Sequence, residues 1–171
     1  MSDIMKSICA VEGVEAAGVK EGKYGLALIR ASGTGAAVFT KNRVRAPVVN
    51  LMAERTLRGK LDGVIVNSGC ANAYTGKRGF EDAKTMAQIG AEALGIDEMN
   101  CGVASTGVIG RYLDLDLIRR QTAAVAPNLA HSSAAEDAAA RAIMTTDTVP
   151  KHALVRADGF TVAGICKGSG M

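Results

Sequence analysis

Short β-branched and apolar runs, most of them bounded by glycine, set the pattern of the chain. Runs at Tyr24–Arg30, Gly35–Thr40, Val48–Met52, Gly63–Asn67, Gly102–Ser105, Ala153–Arg156 and Phe160–Cys166 predict strands. Ala157-Asp158-Gly159 between the last two predicts a hairpin turn, because Asp-Gly tolerates positive φ. Helical spacing takes over in the middle. In Gly79–Leu94 the small or apolar residues Phe80, Ala83, Ala87, Gly90 and Leu94 recur every three or four positions, and Gly95 offers a left-handed stop. A second helix is expected over Asp116–Ala126, with Ile118 and Val125 inward and Pro127 behind it. A third opens on Ser133-Ala134-Ala135-Glu136, read as a capping box, and runs through alanines to Ile143. Strand pairs at both ends with helices between them do not give the regular alternation of a doubly wound parallel sheet. The pattern predicts a sheet covered by closely packed alanine-rich helices, and nothing in it marks a linker, a repeat or a second domain.

Composition narrows the class. With 171 residues, 48% hydrophobic and 22% charged, the chain is long enough for one domain with a real core and unlike a disordered or collagen-like sequence. Its net charge of +3 is spread along the chain, and three Phe, three Tyr and no Trp leave little to stack bases. Nucleic acid is therefore not an expected partner. The longest apolar runs, Gly63–Val66 and Val48–Met52, fall far short of the roughly 18 residues of a membrane span. Met1–Val14 carries Asp3, Lys6 and Glu12 without a continuous apolar stretch, so no signal peptide is expected. Cys9, Cys70, Cys101 and Cys166 show no metal-ligand spacing with one another or with His131 and His152. The expectation is four free thiols buried as small apolar residues in a reducing cytoplasm, with no metal site.

The remaining motifs each carry two readings. Ser32-Gly33-Thr34-Gly35 lacks the third glycine and the following helix of a dinucleotide fingerprint, and Gly69 to Gly76-Lys77 has the wrong spacing for a P-loop, so both read as turns. Asn67-Ser68-Gly69-Cys70-Ala71-Asn72-Ala73 follows an apolar strand. Asn67 and Asn72 either display polar groups at a strand end or satisfy their own backbone in a turn. In Ala104-Ser105-Thr106-Gly107-Val108-Ile109-Gly110, a hydroxyl beside glycine can present an O–H and an N–H to one oxygen atom, the arrangement that stabilises an oxyanion. The same residues also suit an ordinary polar turn. Met144-Thr145-Thr146-Asp147-Thr148 either ends a helix or lines a pocket with hydroxyls. Lys167, in the closing Lys167-Gly168-Ser169-Gly170-Met171, is either a solvated charge or a cation held for a carboxylate. No Gly-x-Ser-x-Gly elbow and no histidine in a triad setting accompany them. The residues describe an acyl-binding pocket without its attacking group.

Assembled in order, these blocks closely resemble the ornithine acetyltransferase (glutamate N-acetyltransferase) family of arginine biosynthesis. The resemblance runs from about Gly13 to Met171. It is carried by Ala16-Ala17-Gly18-Val19-Lys20, Ala37-Val38-Phe39-Thr40-Lys41-Asn42-Arg43-Val44, the Asn67–Ala73 block, Ser105–Gly110, Ala142–Thr148 and Lys167–Met171. It implies one precursor that cuts itself before a threonine, this chain being the α part and stopping a few residues short of the cut. The nucleophile is then the N-terminal threonine of a separate β chain, its own α-amine acting as base. Thr106, through its hydroxyl, and Gly107, through its backbone N–H, match the oxyanion-hole pair. Thr145 (or its neighbour Thr146) and Lys167 match substrate-contacting positions. The resemblance assigns nothing to Asn67 or Asn72.

The reaction so implied moves acetyl from N-acetylornithine to glutamate in a ping-pong cycle without a cofactor, with acetyl-CoA as a further donor in bifunctional members. The implied fold is α/β (α+β), a layered sandwich of β-sheets and helices like that of the N-terminal-nucleophile hydrolases. A β chain completes it, in an (αβ)₂ heterotetramer in the cytoplasm. Two other readings stay open: a related self-cleaving aminopeptidase, and a binding or assembly domain without a catalytic partner. The Thr106-Gly107 and Lys167 blocks follow the transferase pattern.

Overall fold

Residues 4–168 are described by the structure, a computed structural model. The element order is β1 (Glu15–Glu21), β2 (Tyr24–Thr34), α1 (Pro47–Thr56), β3 (Lys60–Cys70), α2 (Gly76–Leu94), β4 (Cys101–Val108), α3 (Leu115–Val125), α4 (Ser133–Ala142), β5 (Lys151–Ala157) and β6 (Phe160–Cys166). Strands β1 to β4 form one sheet in chain order, and β5 and β6 form a separate two-stranded ribbon. The β1–β2 and β2–β3 pairs are antiparallel, whereas β3 and β4 are parallel, with α2 as the crossover between them. This is the α+β arrangement that the resemblance implies, and it agrees with the sheet covered by helices that the pattern predicts.

Period-two alternation assigns each strand residue to a face. Ala17, Leu26, Leu28 and Ile65 pack with α1, α2 and α3 on one side, while Ala16 and Ala27 pack with Ala139 and Ala142 of α4 on the other. The sheet is thus covered on both faces. On the α2 side, Ala83, Ala87 and Leu94 are buried as the helical spacing requires, and Gly95 closes the helix at φ +66. Alanine packing is tightest at α4: a Cβ on Gly18 would sit 2.5 Å from the Ala138 carbonyl oxygen, and one on Gly25 would overlap that of Ala142. The Asp158-Gly159 turn joins β5 to β6, with Gly159 at φ +81.

Four expectations are corrected. Gly35–Thr40 is not a strand, because β3 begins at Lys60, which already pairs with Thr34; Gly35 adds one bond to the Gly59 carbonyl, and the residues after it have no strand alongside. Val48–Met52 lies inside α1: Pro47 suits a first helical position, and Val48, Leu51 and Arg55 share one buried face, so packing overrides β-branched propensity. Strand β1 has no counterpart among the expected strands, since its Ala-Ala-Gly stretch is chosen for contact with α4 rather than for strand propensity. Ser32-Gly33-Thr34 is not a turn but the bulged end of β2.

The capping box fails by one residue. Ser132, not Ser133, is the N-cap, its hydroxyl accepting from the Ala135 N–H at 3.2 Å. Glu136, 1% exposed, turns instead to the N-terminal segment. It accepts from the backbone N–H groups of Ser7 at 3.1 Å, of Cys9 at 3.0 Å, and of Lys6. Glu136→Ala leaves at least two buried amides without an acceptor. The expected loss is about 3 kcal/mol or more in urea unfolding, with Glu136→Gln milder; a loss below about 1 kcal/mol refutes the assignment.

Candidate active site

The parallel strands β3 and β4 end side by side, and the candidate chemistry gathers there. Their register sets Ser68 against Thr106 and Gly69 against Gly107, then slips at Cys70, which faces both Thr106 and Val108. A slip of this kind re-aims the neighbouring side chains. Gly107 stands at φ +132, where L side chains are strained, and a Cβ there would lie 2.6 Å from the Cys70 amide nitrogen. Only glycine lets the two backbones approach so closely. Both Thr106 and Gly107 lie within β4, not in a turn after it.

Beside this pair opens a depression of about 740 Å³, a size that suits a small-molecule ligand. Thr106 and Gly107 form its β4 wall, Thr145 and Thr146 enter from the turn after α4, and Lys167 follows β6. All four residues singled out from the sequence therefore share one cavity, and both candidate threonines face it. Ser169, Gly170 and Met171 of the closing block lie outside the described residues. The lining also includes Lys20, Lys23 and Lys167 with no aspartate or glutamate, so the cavity is electropositive and draws anions.

Two residues of consequence were not singled out. Lys20 ends the Ala-Ala-Gly-Val-Lys block of β1, and its ammonium donates to the Ser68 hydroxyl at 2.8 Å and to the Met144 carbonyl. Ser68 in turn donates to the Ala142 carbonyl at 2.6 Å, so sheet and α4 are joined twice beside the cavity. Burial pulls the Lys20 pKa below the usual lysine value, and the negative charge of Asp147 opposes that shift.

Asp147 is the second. Its side chain is 1% exposed. Oδ1 accepts from Lys151 Nζ at 2.5 Å and from the Gly168 N–H at 2.7 Å, and Oδ2 accepts from the Thr145 N–H at 3.3 Å. The bond from Lys151 holds the carboxyl down at about 2 against the opposing effect of burial, with the two amides assisting. A hydroxyl-rich run ending in Asp was the available signal, but its partners lie on β5 and beyond β6.

Other candidates resolve into structural roles. Asn72, fully buried at φ +47, donates to the Gly79 carbonyl at 2.8 Å and accepts from the Thr75 hydroxyl at 2.9 Å, which braces the start of α2. Asn67 donates to the Cys70 carbonyl at 2.9 Å, the local turn-satisfying reading. Neither lines the 740 Å³ cavity. Contrary to expectation, His152 does sit between a serine and an aspartate: Nδ1 is 2.9 Å from Ser7 Oγ, and Nε2 is 3.5 Å from Asp137 Oδ1. Ser7 is fully buried, so this chain ties the N-terminal segment to α4 and β5 rather than presenting a nucleophile. Cys9, Cys70 and Cys101 are buried, and burial pushes the Cys101 thiol up to about 11. Cys166 is exposed, which corrects the expectation of four buried thiols, because the outer face of the β5–β6 ribbon has no layer over it.

The ArgJ family profile matches residues 11–171. A glutamate N-acetyltransferase of Methanosarcina mazei is 50% identical, the alignment taking in 100% of this chain and 44% of that protein. The arginine biosynthesis bifunctional protein ArgJ of Archaeoglobus fulgidus is 46% identical over 96% of this chain and 43% of its own length. The chain thus spans less than half of these relatives. Among solved structures, the ornithine acetyltransferase of Mycobacterium tuberculosis complexed with ornithine superposes with a TM-score of 0.92. It is 38% identical, and the match covers 97% of this chain and 93% of that one. ArgJ of Bacillus halodurans gives 0.87 at 39% identity, over 96% and 91% of the two chains.

The lowered Asp147 pKa fixes a pH window. A carboxyl held below its unfolded value of 3.8 contributes fully above that value, and its contribution is lost as pH falls through about 2. The Tm gap between the full-length protein and its Asp147→Asn variant should be level from about pH 7 to about pH 5 and narrow below about pH 4. Calorimetric scans that show a gap unchanged down to about pH 3 contradict this.

Proposed function

The chain belongs to the ArgJ family, and we propose that it supplies the α part of a glutamate N-acetyltransferase, which moves acetyl from N-acetylornithine to glutamate. The observation that carries this reading is that Thr106, Gly107, Thr145 and Lys167 meet in one electropositive cavity. In the proposed cycle the N-terminal threonine of a β chain attacks the acetyl carbonyl, its α-amine taking the hydroxyl proton. The Thr106 hydroxyl and the Gly107 N–H donate to the oxygen as it becomes negative, and the strained glycine backbone supports so close an approach. Ornithine leaves with a proton. Glutamate then attacks the acetyl-threonine ester through the same oxyanion and releases N-acetylglutamate. Lys167 meets the α-carboxylate common to both amino acids, and Thr145 with Thr146 contacts the substrate opposite.

A partner chain fits the surface as well. Val155, Phe160 and Val162 on the β5–β6 ribbon are each about 60% exposed, an apolar sheet face suited to burial against another chain. The assembly proposed is an (αβ)₂ heterotetramer of one self-cleaved precursor, in which this chain is a single domain, and its location is the cytoplasm. No helix among the described residues is long and apolar enough to cross a membrane.

The test is acetyl transfer by the full-length protein from N-acetylornithine to glutamate, with acetyl-CoA as an alternative donor separating bifunctional from monofunctional behaviour. Absence of transfer rejects the reading. Thr106→Ala should lower kcat by roughly 10²–10³, the usual loss for one oxyanion donor, with the fold intact by circular dichroism. A decrease of less than about threefold removes Thr106 from this role. Lys167→Ala should raise KM for both amino acids with kcat little changed, since a carboxylate contact present in ground and transition states is uniform binding. An unaltered KM for either substrate counts against it.

A further inference from the structure

We propose that Asp147 is a positioning residue that holds Lys167 and the Thr145–Thr146 turn in register across the cavity, and so sets affinity for the amino-acid carboxylate. This rests on the substrate role proposed for Lys167. Asp147 does not line the cavity; it stands behind the wall. Its Oδ2 holds the Thr145 N–H, and its Oδ1 holds the N–H of Gly168, the residue next to Lys167. One carboxylate thereby joins two segments that no strand pairing connects, since β6 ends at Cys166 and α4 at Ala142. Lys151, on β5, completes the clasp by donating to Oδ1 and to the Gly168 carbonyl. Lys20, from β1, faces the same charge and holds the Met144 carbonyl at the head of the turn. Consecutive Cα atoms lie about 3.8 Å apart, so freeing Gly168 frees Lys167 directly.

The donor set explains why an acid is required. Three donors converge on two oxygens, and Oδ1 takes two of them. An asparagine at this position offers one acceptor oxygen and turns an NH₂ toward a further donor, so at least one segment is released.

The full-length enzyme tests this through Asp147→Asn, Asp147→Glu, Lys167→Ala and the Asp147→Asn/Lys167→Ala double variant. Asp147→Asn should raise KM for N-acetylornithine and for glutamate about tenfold, with kcat per folded enzyme within about threefold, and Asp147→Glu should recover part of the loss. In the Lys167→Ala background the same substitution should add a clearly smaller factor, because the part of its effect carried by Lys167 is already lost and only the part through the Thr145–Thr146 turn remains. A merely structural residue lowers the folded fraction and Tm and leaves KM alone. Unchanged KM values, or an undiminished effect in the double variant, overturn the proposal. Amide exchange gives a readout independent of turnover: the Thr145 and Gly168 N–H groups should exchange faster in Asp147→Asn while the α4 interior stays protected, and equal rates overturn it. If the wild type transfers no acetyl group, the proposed function fails, and the exchange rates still judge the clasp. Should Asp147→Asn not fold, Lys151→Met removes the third donor and is expected to shift KM in the same direction by a smaller factor; no shift again overturns it.

Discussion

The backbone of α4 lies directly on the sheet, and the rest of the site depends on that approach. At Gly18 and Gly25 there is no room for a Cβ beneath the carbonyls of Ala138 and Ala142, so these two positions set how deeply the helix sits. The buried alanines of α4 and Glu136, which gathers the N-terminal segment onto the same helix, hold it there. The end of α4 then delivers the Met144–Asp147 turn to the rim of the β3–β4 pair. Moving the helix outward by one methyl diameter would carry Thr145 and Thr146 away from Thr106.

Charge is distributed around the cavity with a clear division. Lysines line it, while Asp147 stands behind its wall and is neutralised there by Lys151 and two amides. The interior therefore presents positive charge and hydroxyls to a ligand without a facing carboxylate to repel it. Under the proposed function, a binding surface for a carboxylate and a cradle for a developing oxyanion call for the same field, which this electropositive pocket supplies.

Most helices and strands were legible because their signals are local. The three-and-four spacing of α2, the Asp-Gly turn of the β5–β6 ribbon and the apolar run of β3 each depend on residues a few positions apart. The misreadings share the opposite origin. Val48–Met52 has strand-like composition but a helical burial face, and β1 has poor strand composition but a sheet partner on one side and α4 on its face. In both, long-range packing outweighs an intrinsic preference worth less than about 1 kcal/mol per residue. The shifted cap of α4 belongs with these, since Glu136 finds three backbone donors in a segment 127 to 130 positions away.

Of the candidate site, residue types and their order along the chain were readable in advance: a hydroxyl beside glycine in Thr106-Gly107, two threonines before an acid, a lysine after a strand. Those features follow from covalent sequence; the family and the candidate roles of the four residues came from the resemblance of six such blocks taken in order. Their convergence was not readable, because it is produced by strand register, by the backbone contact of α4 and by a buried carboxylate bonding across 21 positions to Gly168. Sequence determined which groups are available; packing between distant segments decided that they face one cavity, and that Asp147 and Lys20 hold its walls together.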